Sequence, residues 1–438
     1  LFAALRLSDR DAVQLKRILL IHGSAQMGGV ETLLLRLARE LSLRGVEVRV
    51  LLLSRASDPG LLLELTQFAM VSYLDRLLDA PFNSSDRLAL ISALLRPNRA
   101  ETSALLDGVD HVHFTESITM TLCTNIISFA KEPVRVSGGV YYQYEYAYPD
   151  RSRRYCTTVM EQQFAHHATE GRMLFFSEMA RERLGSRLGL DLRSCPVLPI
   201  GIDLKRARLR RSELAKRTKV VSVGRVTDFK TYNIQFLNAV AEMRRRGLAL
   251  EYHIYGDGPA VAKVRRRIDE LGLSQHVNLH GQIEYARFPD VVADAGLFVG
   301  SGTALIEAAA CGVPALIGIE TQPNDQSYGF LHEMDSIAYH EPGILHPTRS
   351  FADHVERVLS LDSEAYRALC EASVRKAQAY SIERLVDGWM ALDARIAGTT
   401  GGSQAPGFSP SRFVCSLAFD KLAATFGGSS NFWSRYDQ

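Results

Sequence analysis

Two doubly wound α/β domains built on parallel sheets are predicted by three features of the 438-residue sequence. Short apolar runs alternate with helical patterns almost throughout; a polar, strongly basic stretch interrupts them once, near residue 200; and the length suits two cores of roughly 200 residues each. Hydrophobic residues make up 46% of the chain and charged residues 23%, the balance of an ordinary globular protein.

The first domain is placed at 17–200, after an extension over 1–16. Its opening run, 17–22 (RILLIH), leads through a small-residue loop at 23–29 into a helical pattern starting at Thr32, and a second strand follows the Gly45 helix stop at 46–53. Strand, helix and strand in that length make one parallel βαβ unit. Further strand-like runs lie at 109–114, 134–139, 173–177 and 196–201. Residues 201–218 are basic and polar and read as an interdomain connection. The second domain, 219–380, alternates strands at 220–225, 250–256, 277–283, 296–300 and 314–318 with helices at 233–247, 260–272 and 305–311. A helix over 381–397 is expected to return toward the first domain. Residues 398–438 comprise a Gly/Ser/Pro-rich linker and a tail helix carrying Val414, Leu417, Ala418, Leu422 and Phe426, which docks on the body, a partner or a membrane.

Charge and cysteine content narrow the partners. Basic residues number 51 and acidic ones 49, so no global field favours nucleic acid. The six cysteines are scattered without CxxC or zinc-like spacing, which points to a reducing cytosol and to neither a disulfide framework nor a metal knuckle. No run approaches the roughly 18 apolar residues of a membrane span, and Arg6, Asp9, Arg10 and Asp11 make 1–16 unlike a secretory signal. Basic clusters at Arg151, Arg153 and Arg154 and at 205–217 predict weak contact with an anionic membrane surface, at the inner face of the plasma membrane.

In parallel α/β sheets, ligands sit beyond the carboxyl ends of strands, where Gly224-Arg225, Gly256-Asp257-Gly258 and the 300–303 loop fall. The stretch 302–318 (GTALIEAAACGVPALIG) resembles the signature of the retaining glycosyltransferases of family four. Segments 27–31 (MGGVE), 199–203 (PIGID), 223–230 (VGRVTDFK), 254–259 (IYGDGP) and 277–283 (VNLHGQI) support the resemblance in the family's order, and together they span 17–395. The resemblance implies two Rossmann-like domains facing across a cleft, the GT-B fold, with a nucleotide sugar bound mainly by the second.

The chemistry fits that implication. A diphosphate needs positive partners, and Gly302, Thr303 and Ala304, with Leu305 completing the turn, open a helix whose free N–H groups and dipole supply them; Gly302 allows close approach and Thr303 serves as N-cap. Glu307, placed on the first turn, is acceptor-only and suits a ribose diol, the role the resemblance implies. Arg225 and Lys230 are spaced to neutralise one leaving diphosphate as charge develops on it. Gly28 and Gly29 offer backbone amides from the first domain, Gly224, Gly256 and Ile283 complete the donor pocket, and His113 matches the family's post-strand histidine. His111 and His113 share one strand face, but a two-histidine metal site lacks further ligands at recognisable spacing.

The expected activity is transfer of a UDP- or GDP-linked sugar to a glycan or lipid-linked glycan in surface polysaccharide synthesis, with retention, without cofactor and without metal. The sequence departs from the family at Val299, where a glutamate is usual, and at Gly139, where relatives often carry a cleft histidine. These departures motivate a rival reading, a non-catalytic subunit that binds nucleotide or glycan. A nucleotide-sugar epimerase is a further alternative. A dinucleotide oxidoreductase is disfavoured because neither the 23–31 nor the 256–258 loop gives GxGxxG.

Overall fold

The structure, a computed structural model, describes residues 15–79, 86–141, 145–146, 154–209, 215–398 and 405–425. Two compact units emerge: the described residues of 1–27, 37–198 and 386–438 form one, and those of 28–36 and 199–385 the other.

The first unit is built on six strands, β1 (Arg17–His22), β2 (Glu47–Leu52), β3 (Ala69–Tyr73), β4 (His111–Phe114), β5 (Arg135–Val140) and β6 (Met173–Phe175), in the order β3-β2-β1-β4-β5-β6. All pairings are parallel. Parallel sheets are covered on both faces, which is why β1 reads as a continuous apolar run with Ile18, Leu19, Leu20 and Ile21 all fully buried. The strand order reverses direction between β1 and β4, opening a crevice at their carboxyl ends.

The second unit repeats the architecture with five parallel strands, β7 (Lys216–Val223), β8 (Glu251–Tyr255), β9 (Val277–Gly281), β10 (Ala295–Gly300) and β11 (Ala315–Ile317), ordered β11-β10-β7-β8-β9. Its switch point lies between β7 and β10. Strand β7 starts at Lys216, inside the basic stretch that the sequence reads as a connection. The charges there find neighbours: Lys216 Nζ lies 3.6 Å from Asp294, and the Arg217 guanidinium stacks 4.7 Å from the Tyr366 ring centre. Residue Ile202 is likewise tied down, donating its N–H to the Tyr380 carbonyl and accepting from Ile382 N.

The helix Ile382–Gly398 joins the first unit from Val386 onward, burying Trp389, Leu392 and Ile396. The tail helix Pro410–Thr425 docks on the helix Tyr155–Thr169 of the same unit. Its buried residues are Phe413 and Leu417, with Val414 partly buried and Ala418 exposed, so the apolar stripe is rotated from the one the spacing predicts. The backbone N–H of Cys156 donates to Ser416 Oγ at 3.1 Å, and Ser409 N donates to the Tyr155 hydroxyl at 2.9 Å. Phe426, and the Leu422 side chain, lie outside the described residues, as do Asp9, Arg10, Asp11, Arg151, Arg153 and residues 210–214 of the basic clusters.

Candidate functional site

The second unit's switch point gathers most of the sequence-predicted donor residues. Strand β7 ends at Val223 and is followed by Gly224 and Arg225; β10 ends at Gly300 and is followed by Ser301 and the helix Gly302–Ala310. Because β7 and β10 are neighbours, both loops open on the same sheet edge.

Three glycines set the geometry of these loops. Gly256 has φ +152°, and a Cβ there would overlap the Gly224 carbonyl; Gly258 has φ +149° and packs the same way on the Val226 carbonyl. Gly224 N donates to Tyr255 O at 2.9 Å, and Gly256 N to Gly281 O at 2.7 Å. Gly224 and Gly256, expected as ligand contacts, thus serve first to let the β7 and β8 loops touch backbone to backbone. Gly256→Ala is expected to cost about 2 kcal/mol through backbone strain and overpacking. Equilibrium urea unfolding reads this directly, and an unchanged midpoint would show the loops to be looser than described.

The two cations are close to this packing. Lys230 Nζ sits 3.2 Å from where a Gly224 side chain would begin, and an Arg225 guanidinium nitrogen lies 3.3 Å from the same point on Gly28. The Glu31 carboxylate flanks Gly28 as well. Gly28 and Gly29 open the helix Gly29–Leu43, whose first part, 28–36, clusters with the second unit. Gly29 has open space around it.

Several expectations about the helix Gly302–Ala310 require correction. Its N-cap is Ser301, not Thr303, and the Ser301 hydroxyl donates to Glu320 Oε1 at 2.7 Å and does not cap an N–H. Gly302 has φ +64°, which explains why glycine stands at the first helical position. Thr303 and Ala304 are partly exposed, but Leu305 is fully buried, so only its backbone can approach a ligand. Glu307 is the helix's sixth residue, in its second turn. Its Oε1 accepts from the Tyr285 hydroxyl at 2.7 Å and from Arg36 at 3.0 Å, and its side chain is 14% exposed. Burial pushes this carboxyl above the usual range, against the opposing pull of Arg36 and Tyr285. Ile283 lies in the loop after β9, partly exposed.

Arg36 and Tyr285, the partners of Glu307, were not singled out by the sequence reading. Arg36 is 3% exposed, its Nε donating to Thr32 O at 2.9 Å. A lone arginine inside the apolar LLLRLA run was the available signal, since a buried guanidinium demands a partner. Val299, in the usual glutamate position, is fully buried in β10.

The His113 ring is engaged by protein side chains. It is fully buried in the first unit, with Nδ1 beside Ser137 Oγ at 2.8 Å and Trp389 Nε1 at 3.3 Å, and Nε2 beside the Tyr141 hydroxyl at 2.8 Å. Burial, reinforced by His111, pushes its pKa down to about 3. The alternation that carried His113 to the end of β4 turned its ring inward, under Trp389. Gly139 lies on β5, where a side chain would strike the Tyr141 ring. Among the described residues no group of three or more His, Cys, Asp or Glu could hold a metal ion, and no helix is long and apolar enough to cross a membrane.

Comparison with known proteins decides the family. Residues 27–206 match the Glycosyltransferase Family 4 model and 205–368 match Glycosyl transferases group 1. The chain belongs to the family-four-like glycosyltransferases of the GT-B fold. Among relatives, it is 31% identical over 166 residues to the GDP-mannose-dependent alpha-(1-6)-phosphatidylinositol monomannoside mannosyltransferase of Mycolicibacterium smegmatis, covering 33% of this chain and 43% of that protein. A putative colanic acid biosynthesis glycosyltransferase, WcaL of Escherichia coli, is 26% identical over 157 residues, covering 33% and 38%. Among solved structures, the chain resembles Anabaena Alr3699/HepE in complex with UDP and glucose, with a TM-score of 0.62 and 16% identity over 89% of this chain and 100% of that one. A glycosyltransferase from Rickettsia africae gives 0.62 and 12%, over 88% and 100%. The curated relatives are thus matched over less than half their length, and the solved structures support the two Rossmann-like domains of the fold.

Proposed function

We propose that this protein transfers a sugar from a UDP- or GDP-linked donor to a glycan or lipid-linked glycan acceptor, with retention, as a step in surface polysaccharide synthesis. The observation that carries the reading is the pairing, on adjacent strand ends, of Arg225 and Lys230 with the N-terminus of the helix Gly302–Ala310. Two cations and a helix N-terminus at one sheet edge suit a diphosphate that gains charge as the glycosidic bond breaks. Retention rests on the family likeness, and a lipid-linked acceptor on the phosphatidylinositol mannoside in the name of the mycobacterial relative.

The test is a thermal-shift screen of nucleotide sugars, followed by measurement of nucleoside diphosphate release with and without an alkyl glycoside acceptor. Stabilisation by one donor series, with acceptor-dependent release, is expected. Turnover is expected to persist in EDTA, because Arg225, Lys230 and helix amides take the role a divalent cation would otherwise fill. Activity abolished by EDTA and restored by magnesium or manganese would refute that part. A second reading, binding without turnover, is favoured by two observations: Val299 is buried in the place of a sugar-binding carboxylate, and Glu307 is already engaged by Arg36 and Tyr285. Donor binding with no release under any acceptor would select it.

A further inference from the structure

In the second unit, β10 and β11 run side by side with Gly300 opposite Ile317, so the residues after each strand leave the sheet together. Gly318 N donates to Gly300 O at 2.7 Å, and Glu320 then places its Oε1 2.7 Å from the Ser301 hydroxyl. The next backbone N–H, that of Thr321, donates at 2.7 Å to the carbonyl of Phe229, the residue before Lys230. Thr321 takes φ +57°, a left-handed conformation that a β-branched residue adopts only where its surroundings impose it. Glu320 is thus held between Ser301, which precedes the helix Gly302–Ala310, and the loop that carries Lys230. All of these residues belong to the second unit.

The Glu320 carboxylate is buried further than its contacts explain. The residue is 9% exposed, yet among the described residues the carboxylate accepts one hydrogen bond, from Ser301. Its Oε2 lies 3.9 Å from His340 Nε2, too far for a hydrogen bond. His340 Nδ1 is itself buried without a hydrogen-bond partner among the described residues, 3.9 Å from Glu341 Oε2. A carboxylate offers about four lone-pair sites, and withdrawing it from water with one of them filled is costly. The gap between Oε2 and Nε2 takes one oxygen atom, at about 2.8 Å from each. A hydroxyl suits it, donating to Glu320 and accepting from the imidazole N–H. The gap can be reached from outside, because both side chains keep some exposure.

We propose that Glu320, with His340, binds hydroxyl groups of the donor sugar and so sets which sugars are accepted. The proposal rests on the donor site described above, where the diphosphate lies between Lys230 and the first amides of the helix Gly302–Ala310 and the sugar is bonded directly to it. Glu320 is tied through its side chain to the residue before that helix, and through the N–H that follows it to the residue before Lys230. A sugar on that diphosphate comes within reach of the gap. Among the described residues Glu320 is held by the Ser301 hydroxyl and by no amide of the helix, so those amides stay available to the diphosphate. A carboxylate in this place favours neutral hexoses, whose hydroxyls can donate to it. Uronic acids are disfavoured, because their own carboxylate is repelled.

Calorimetric titration separates the sugar from the diphosphate. UDP is compared with UDP-glucose and UDP-glucuronate, and GDP with GDP-mannose and GDP-mannuronate, on the wild type and on Glu320→Gln. In the variant the Ser301 hydroxyl keeps the amide oxygen, so an NH2 group meets the ligand where an acceptor stood. The neutral nucleotide sugar that the wild type binds is expected to lose affinity on the order of tenfold, while the bare nucleoside diphosphate binds as before. The affinity of the uronic acid donor relative to its neutral counterpart is expected to rise. Equal loss of diphosphate and nucleotide sugar would reduce Glu320 to a support of the helix N-terminus and overturn the proposal, as would unchanged binding of both; either result leaves the diphosphate site standing. Should Glu320→Gln melt early, His340→Ala carries the same comparison with the same expected split. A wild type that binds neither nucleoside diphosphates nor nucleotide sugars would remove the donor site and the proposal together.

Discussion

Lys230→Ala is expected to lower kcat on the order of 10²-fold while leaving the melting temperature unchanged. The Lys230 ammonium lies over Gly224 at the end of β7, where its removal opens no core cavity. In the proposed transfer it faces charge that grows during bond breaking, so the loss is expected to fall on the transition state more than on donor binding. Glu307→Ala is expected to fail differently. Its carboxylate is the partner of Arg36, whose guanidinium is 3% exposed, so truncation leaves a buried cation and the Tyr285 hydroxyl without their acceptor. Weaker nucleotide binding, by about one to two decades, is then accompanied by a lower melting temperature. Steady-state kinetics with donor varied, calorimetric titration of the nucleoside diphosphate and a melting curve for each variant separate the two. If both variants bind, turn over and melt like wild type, the donor site lies elsewhere.

Asp393→Ala is expected to destabilise the first unit by about 3–5 kcal/mol at neutral pH, the cost of breaking a buried ion pair by removing one member. The Asp393 carboxylate side chain is 4% exposed and joins Arg135 and His111, so its loss leaves both uncompensated between helix and sheet. The sign of the pH dependence follows from its depressed pKa. That stabilisation is fully present above the ordinary aspartate value near 3.8 and is lost as pH falls through the lower folded value. The gap between wild type and variant in urea unfolding should therefore be constant from about pH 5 upward and narrow below pH 4. A gap that widens in acid would mean that the carboxylate is not ionised in the folded protein.

How much of this was legible in advance depends on the range of the interactions involved. The alternation of apolar runs and helical patterns located both parallel sheets, because a strand covered on two faces must be apolar throughout, as 17–22 is. Local spacing also placed Arg225, Lys230 and the 302–307 turn at strand ends, since loops follow strands in any doubly wound sheet. Lys216 and Arg217 misled because a run of cations reads as solvent-facing until Asp294 and the Tyr366 ring are folded against it. The surroundings of His113 were hidden for the same reason. Its position at the end of β4 was a matter of local sequence, but the inward turn of its ring was decided by Ser137, Tyr141 and Trp389, as many as 276 residues away along the chain. The partnership of Glu307 with Arg36, 271 residues distant, belongs to the same class. Periodicity and turn chemistry are properties of neighbours in sequence, and so the sequence alone determined the elements, their order and the loops that bear the candidate site. The partner of each buried charge, and whether a polar side chain faces ligand or core, was decided only when tertiary packing removed water from groups that must then find one another.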